Sequence, residues 1–181
     1  QHLHPEPDSL YDGTWRCALT PKNAGKYFVF FDFIPTRSPR RVLLTSFFDV
    51  EGDRVAEPPV QEKLLFSSGK RRFELKKDES GEGGQSVKLV FEASDEDGKT
   101  LALRPVMGAF AHMVAFDGDL KGFAHLHPLE NVLPANESDS HQGPLTFSFS
   151  PPGNGLYRLW AQVRISGESE TFIPFDLKVG S

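Results

Sequence analysis

The chain has 181 residues, 38% of them hydrophobic and 25% charged, and carries a net charge of −5 at pH 7 with no basic cluster. That length allows a buried core for one large or two small domains, and the charge lacks the basic footprint of a nucleic-acid binder. No run approaches the roughly 18 apolar residues of a membrane-spanning helix, and the single cysteine excludes an intrachain disulfide.

The chain opens at Gln1 without the pattern of a signal peptide, as the mature form of a secreted protein would. Its first motif, His2-Leu3-His4-Pro5, returns as His125-Leu126-His127-Pro128. Asp12 to Phe33 lies ungapped on Gln142 to Val163 at an offset of 130, with Gly13 on Gly143, Pro21 on Pro151, Gly25 on Gly155 and Tyr27 on Tyr157. Downstream, Val42-Leu43-Leu44 falls on Phe172-Ile173-Pro174. A repeat of this kind decides the architecture before any single element does. What precedes the second HLHP motif has no counterpart before Gln1, so residues 1–60 read as the back half of a first module and residues 61–181 as a complete copy.

Within the first half, Trp15, Cys17 and Leu19 alternate as in a strand, which makes Cys17 a small buried hydrophobe. Residues 12 to 48 then supply three strands. In the complete copy, Val87, Leu89 and Phe91, then Leu145, Phe147 and Phe149, alternate with polar neighbours as strands with one wet face do. Tyr157, Leu159, Ala161 and Val163 share one side of the next strand, and Thr171 to Val179 supplies the last. Gly81 to Gln85, Asp97-Gly98, Asp117-Gly118 and Pro151 to Asn154 carry turn chemistry, and no window shows a helical stripe. The pattern predicts an all-β chain built as an antiparallel β-sandwich.

Gly25-Lys26-Tyr27-Phe28-Val29 and Gly155-Leu156-Tyr157-Arg158-Leu159 look like the tyrosine corner that opens the sixth strand of immunoglobulin-like domains, with Val29 and Leu159 where antibody domains carry cysteine. The sandwich is therefore expected to be immunoglobulin-like: one complete copy plus the C-terminal half of a second. On that mapping the histidines of the complete copy fall on the third strand and its partner. The half module has no second sheet, so its aromatics should be covered by an upstream segment, by residues 61 to 103 with Phe73 and Leu75 among them, or by a symmetric homodimer, the last two being favoured.

Five of the six histidines, His2, His4, His112, His125 and His127, belong to the repeated motif or its partner strand. Residues two apart on a strand share a face, so His125 and His127 point together, and a hairpin turn at Asp117 to Lys121 would bring His112 beside them. Three neutral imidazoles suit Cu or Zn, and Met107 adds a thioether for copper. The same histidines have a structural reading: Phe110, Val114 and Phe116 share the strand face of His112, which would put the cluster at the margin of an apolar core. His141, in Asn136-Glu137-Ser138-Asp139-Ser140-His141, reads as solvated loop, Lys70-Arg71-Arg72 as a turn and strand edge, and Trp160 as the cover of a sheet face. No nucleophile elbow or phosphate loop is present, so the sequence favours a binding module over an enzyme.

The run from Met107-Gly108-Ala109 through Ala111-His112, Asp119-Leu120, Phe123-Ala124-His125-Leu126-His127-Pro128, Gly143-Pro144 and Gly155 to Gln162 resembles uncharacterised bacterial exported proteins that carry one or two HxHP-containing β-sandwich modules. The resemblance covers residues 86 to 179 and, as half a copy, residues 1 to 50. It implies a periplasmic or secreted location and makes a metal ion more plausible as partner. The leading expectation is thus a cell-envelope module binding copper or zinc through His112, His125, His127 and Met107. Two other readings stay open: an immunoglobulin-like adhesion or scaffold module with structural histidines, and a zinc-dependent hydrolase with Asp119 or Glu130 as its base.

Overall fold

The computed structural model describes residues 6–7, 13–53, 60–78, 86–130 and 133–180. His2, His4 and the turn expected at Gly81 to Gln85 lie outside them. The chain forms two compact units, Gln1–Glu57 and Pro58–Ser181.

In the first unit, β1 (Glu6–Pro7) pairs antiparallel with β2 (Trp15–Arg16), and β3 (Gly25–Phe33) pairs with β4 (Val42–Val50) in a separate two-stranded sheet. The first of the three strands expected between residues 12 and 48 shrinks to Trp15–Arg16, and both Trp15 and Cys17 are exposed. Cys17 is therefore not a buried hydrophobe. The alternation of Trp15, Cys17 and Leu19 was too short to require a ladder, and strand formation depends on a packed face that this segment lacks. Tyr27 behaves as a corner residue: its hydroxyl donates to Asn23 O at 2.9 Å, and its ring stacks on Phe48 with centroids 5.3 Å apart. It is nevertheless half-buried, not largely buried as the corner motif leads one to expect.

In the second unit the strands are β5 (Leu65–Ser68), β6 (Arg71–Asp78), β7 (Val87–Asp95), β8 (Leu103–Arg104), β9 (His112–Asp117), β10 (Phe123–Leu126), β11 (Leu145–Phe149), β12 (Gly155–Ile165) and β13 (Glu170–Val179). All pair antiparallel. One sheet runs in the order β10-β9-β12-β13, with β8 added to β12, and the other in the order β11-β7-β6-β5. The described residues contain no helix.

The alternation read from sequence explains why the sheets close on each other. Phe73, Leu75, Leu89, Phe91, Leu145, Phe147 and Phe149 point inward from one sheet, and Met113, Ala115, Leu159, Ala161, Val163, Ile173, Phe175 and Leu177 from the other. They form one buried cluster, a β-sandwich core. Phe91 meets Phe175 edge-on across it, with centroids 6.2 Å apart. Tyr157 is 5% exposed and its hydroxyl donates to Gly153 O at 2.8 Å.

The inward residues of β9 are Met113 and Ala115, preceded by Ala111. His112, Val114 and Phe116 therefore occupy the outer face of the sheet, while Phe110, expected beside them, joins the core cluster and His112 is itself 2% exposed. Period two fixes which residues travel together but not which of the two faces is inside. Phe73 and Leu75 belong to this core and are 1% exposed each.

Candidate metal centre

The hairpin β9–β10 sets the site. Its turn is held by Asp117, whose side chain accepts from Lys121 N at 2.8 Å and whose carbonyl accepts from Leu120 N at 3.0 Å. The register pairs Phe116 with Phe123, Val114 with His125 and Met113 with Leu126. Continued by one pair, it brings His127 beside His112. Directly opposed residues share a face, so all three imidazoles rise from the outer side of the sheet.

They meet closely. The ring centroids are 5.2 Å apart for His112 and His125, 4.7 Å for His112 and His127, and 4.9 Å for His125 and His127. One ring nitrogen from each lies within 4.8 Å of the others. His112 Nδ1 is 3.1 Å from His125 Nε2, near the ~3.3 Å that separates two nitrogens bound at about 2.0–2.1 Å to a tetrahedral metal. Exposure grades across the trio: His112 is 2% exposed, His125 half-buried and His127 exposed. A ligand could thus reach an anchored site from solvent.

The tautomer of His112 follows from its partner. Nε2 lies 2.9 Å from Val106 O, and a carbonyl only accepts, so Nε2 carries the proton and Nδ1 presents its lone pair toward the other histidines. Burial, with smaller contributions from His127 and His125, lowers the pKa of His112 from its ordinary 6.5 to about 4. The ring is therefore neutral, the form a metal needs, at every pH above that value.

Two contributors were not legible in the sequence. The Val106 carbonyl orients His112, but a backbone acceptor leaves no residue-type signal. Gln162, directly across from His112 on β12, is 3% exposed and donates to Glu170 Oε2 at 2.8 Å. Trp160 stands opposite Val114 on the same outer face and is half-buried. His141 is not in a free loop: its backbone exchanges two hydrogen bonds with Leu103, and its ring centroid is 5.5 Å from that of Phe110.

Met107 lies in the turn between Val106 and Ala109, is 45% exposed, and lines a cavity of about 120 Å³ with His127, Pro128 and Glu130. Both Glu130 oxygens accept from Thr146 N, at 2.8 and 2.9 Å. Asp119 pairs with Lys121 at 2.9 Å in the exposed turn at the opposite end of the hairpin. The two carboxylates nearest in sequence are both engaged.

A protein-family model with the description Domain of unknown function (DUF8832) matches residues 67–181, more than half of the chain. The chain belongs to this family. The DUF8832 match takes in β6 to β13, and with them Val106, Met107 and the three histidines. No curated protein matches the chain. Among solved structures, a DUF4426 family protein from Pseudomonas aeruginosa PAO1 is similar to it at 13% identity and a TM-score of 0.44, over 64% of this chain and 94% of that one.

Proposed function

We propose that this DUF8832 protein is a metal-binding β-sandwich module of the bacterial cell envelope, with His112, His125 and His127 as ligands of a copper or zinc ion. One observation carries the reading: a nitrogen from each of three histidines within 4.8 Å of the other two, in a trio whose buried member has its second nitrogen bonded to Val106 O. Among the described residues this is the cluster with metal-ligand chemistry. The envelope location rests on the resemblance of the HxHP pattern to exported proteins. Thermal melting tests the site. An ion bound only by the folded state raises the melting temperature with its concentration, so Zn(II) or Cu(II) should raise that of the wild type and leave His125→Ala unmoved. Equal responses from the two proteins would refute the assignment.

The adhesion or scaffold reading draws support from the same bonds, because His112 already satisfies both nitrogens through Val106 O and His125. It predicts no metal response in either protein. Of the two carboxylates that the hydrolase reading names, Glu130 accepts from Thr146 N and Asp119 pairs with Lys121 at the far end of the hairpin.

The fold reading is that the sandwich is immunoglobulin-like. The orders β10-β9-β12-β13 and β11-β7-β6 correspond to strands C′-C-F-G and E-B-A of that architecture, with the Tyr157 corner at the start of F. The half-module reading gains support from register. Tyr27 pairs with Phe48 and Tyr157 with Leu177, so Phe31 and Leu44 stand where Ala161 and Ile173 stand. Those two are fully buried, whereas Phe31 is 46% and Leu44 52% exposed. Phe73 and Leu75 belong to the core of their own unit, and we take the same face of a second copy as the cover.

A further inference from the structure

Val106 and Ala109 exchange two backbone hydrogen bonds, Val106 N to Ala109 O at 2.7 Å and Ala109 N to Val106 O at 3.1 Å. Between them Met107 has φ of 47° and Gly108 of 80°. Two consecutive left-handed residues closing a two-residue loop make a type I′ turn, whose first position favours Asn, Asp or Gly. A methionine there adopts a backbone conformation that its side chain disfavours. This turn is also the one whose Val106 carbonyl orients His112, and Met107 lines the same cavity as His127, the exposed member of the trio. The hard donor bordering that cavity, the Glu130 carboxylate, is held by Thr146 N. Among the residues lining the cavity, Met107 offers the soft donor, a thioether.

We infer that Met107 supplies a fourth ligand and that the site therefore prefers Cu(I) to Zn(II). Thioether sulfur matches the soft monovalent ion, whereas imidazoles alone accept either metal. The inference rests on the histidine cluster being a metal site, and its test separates the two. Cu(I) affinity is measured anaerobically by competition with a chromophoric bicinchoninate chelator, and Zn(II) affinity with a zinc indicator dye, for the wild type, Met107→Leu, Met107→Asn and His125→Ala. Asn suits the turn better than Met, so Met107→Asn should melt no lower than the wild type in the metal-free form, which shows that the fold is kept. Both Met107 variants should lose Cu(I) affinity roughly tenfold or more and keep their Zn(II) affinity within about twofold, while His125→Ala loses both metals. Wild-type Cu(I) affinity in the Met107 variants, with loss in His125→Ala, would overturn the role of Met107 and leave the histidine site standing. Equal loss of Cu(I) and Zn(II) in the Met107 variants would overturn the preference. A wild type that competes for neither metal would overturn both.

Discussion

His112 links burial to pH through its lowered pKa. Unfolded, it takes up a proton below about pH 6.5, whereas in the fold it resists until about pH 4. Between those values the unfolded chain binds more protons, so the contribution is fully present above pH 6.5 and is lost as pH falls toward 4. The loss is on the order of 3 kcal/mol across the window. Denaturant titrations of metal-free protein should show this decline, and His112→Gln should flatten it; the same slope in both proteins would contradict the account. Neutral His112 is also the metal-binding form, so ion binding should weaken in the same direction. At the corner, Tyr157→Phe removes the bond to Gly153 O and should cost about 0.5–1.5 kcal/mol. Tyr27→Phe should cost less, because Tyr27 is half-buried and its bond exposed, whereas Tyr157 is 5% exposed and its bond part-buried. Unequal shifts of this kind in melting temperature check both statements.

Between strands, Glu130 ties the segment leaving the HxHP motif to β11 through Thr146 N, beside the bond from Leu129 N to Thr146 O. Glu130→Ala should raise hydrogen exchange at Thr146 while Phe73 and Leu89, deep in the core, keep their protection; equal exchange at Thr146 would show that the tie carries nothing. The strands of the second unit were legible from period-two alternation, and Leu145, Phe147 and Phe149 alternate without a break. The convergence of His112 with His125 and His127 was legible because parity and a single Asp117-Gly118 turn determine it. The side of the sheet was not: Val114 and Phe116 look as apolar as Met113 and Ala115, and only the opposing sheet decides which pair is covered. Register in the first unit also escaped. An ungapped offset of 130 puts Leu43 on Ile173, but the loop between Phe33 and Val42 is one residue longer than that between Val163 and Thr171. That single residue moves Leu44 into the place of Ile173 and exchanges the faces of β4.

For the whole molecule, the face of Tyr27, Val29, Phe31, Leu44 and Phe48 is the side whose counterparts form a core, while Asp32 with Arg41, and Lys26 over Phe47, lie on the other side. Pairing of two such apolar faces about a two-fold axis would bury them in a self-complementary interface. Sedimentation equilibrium should therefore report a concentration-dependent dimer, and Phe31→Asp should return the chain to a monomer with the core of residues 58–181 intact; a wild type that is monomeric at every concentration would contradict this. The central claim, a three-histidine metal site on the outer face of the sheet, is tested most directly by metal content. Untagged protein loaded with copper or zinc, passed over a desalting column and analysed by mass spectrometry should retain about one ion per chain, and the His112→Ala, His125→Ala, His127→Ala triple variant none. A wild type that emerges free of metal, or a triple variant that retains as much as the wild type, would contradict the account.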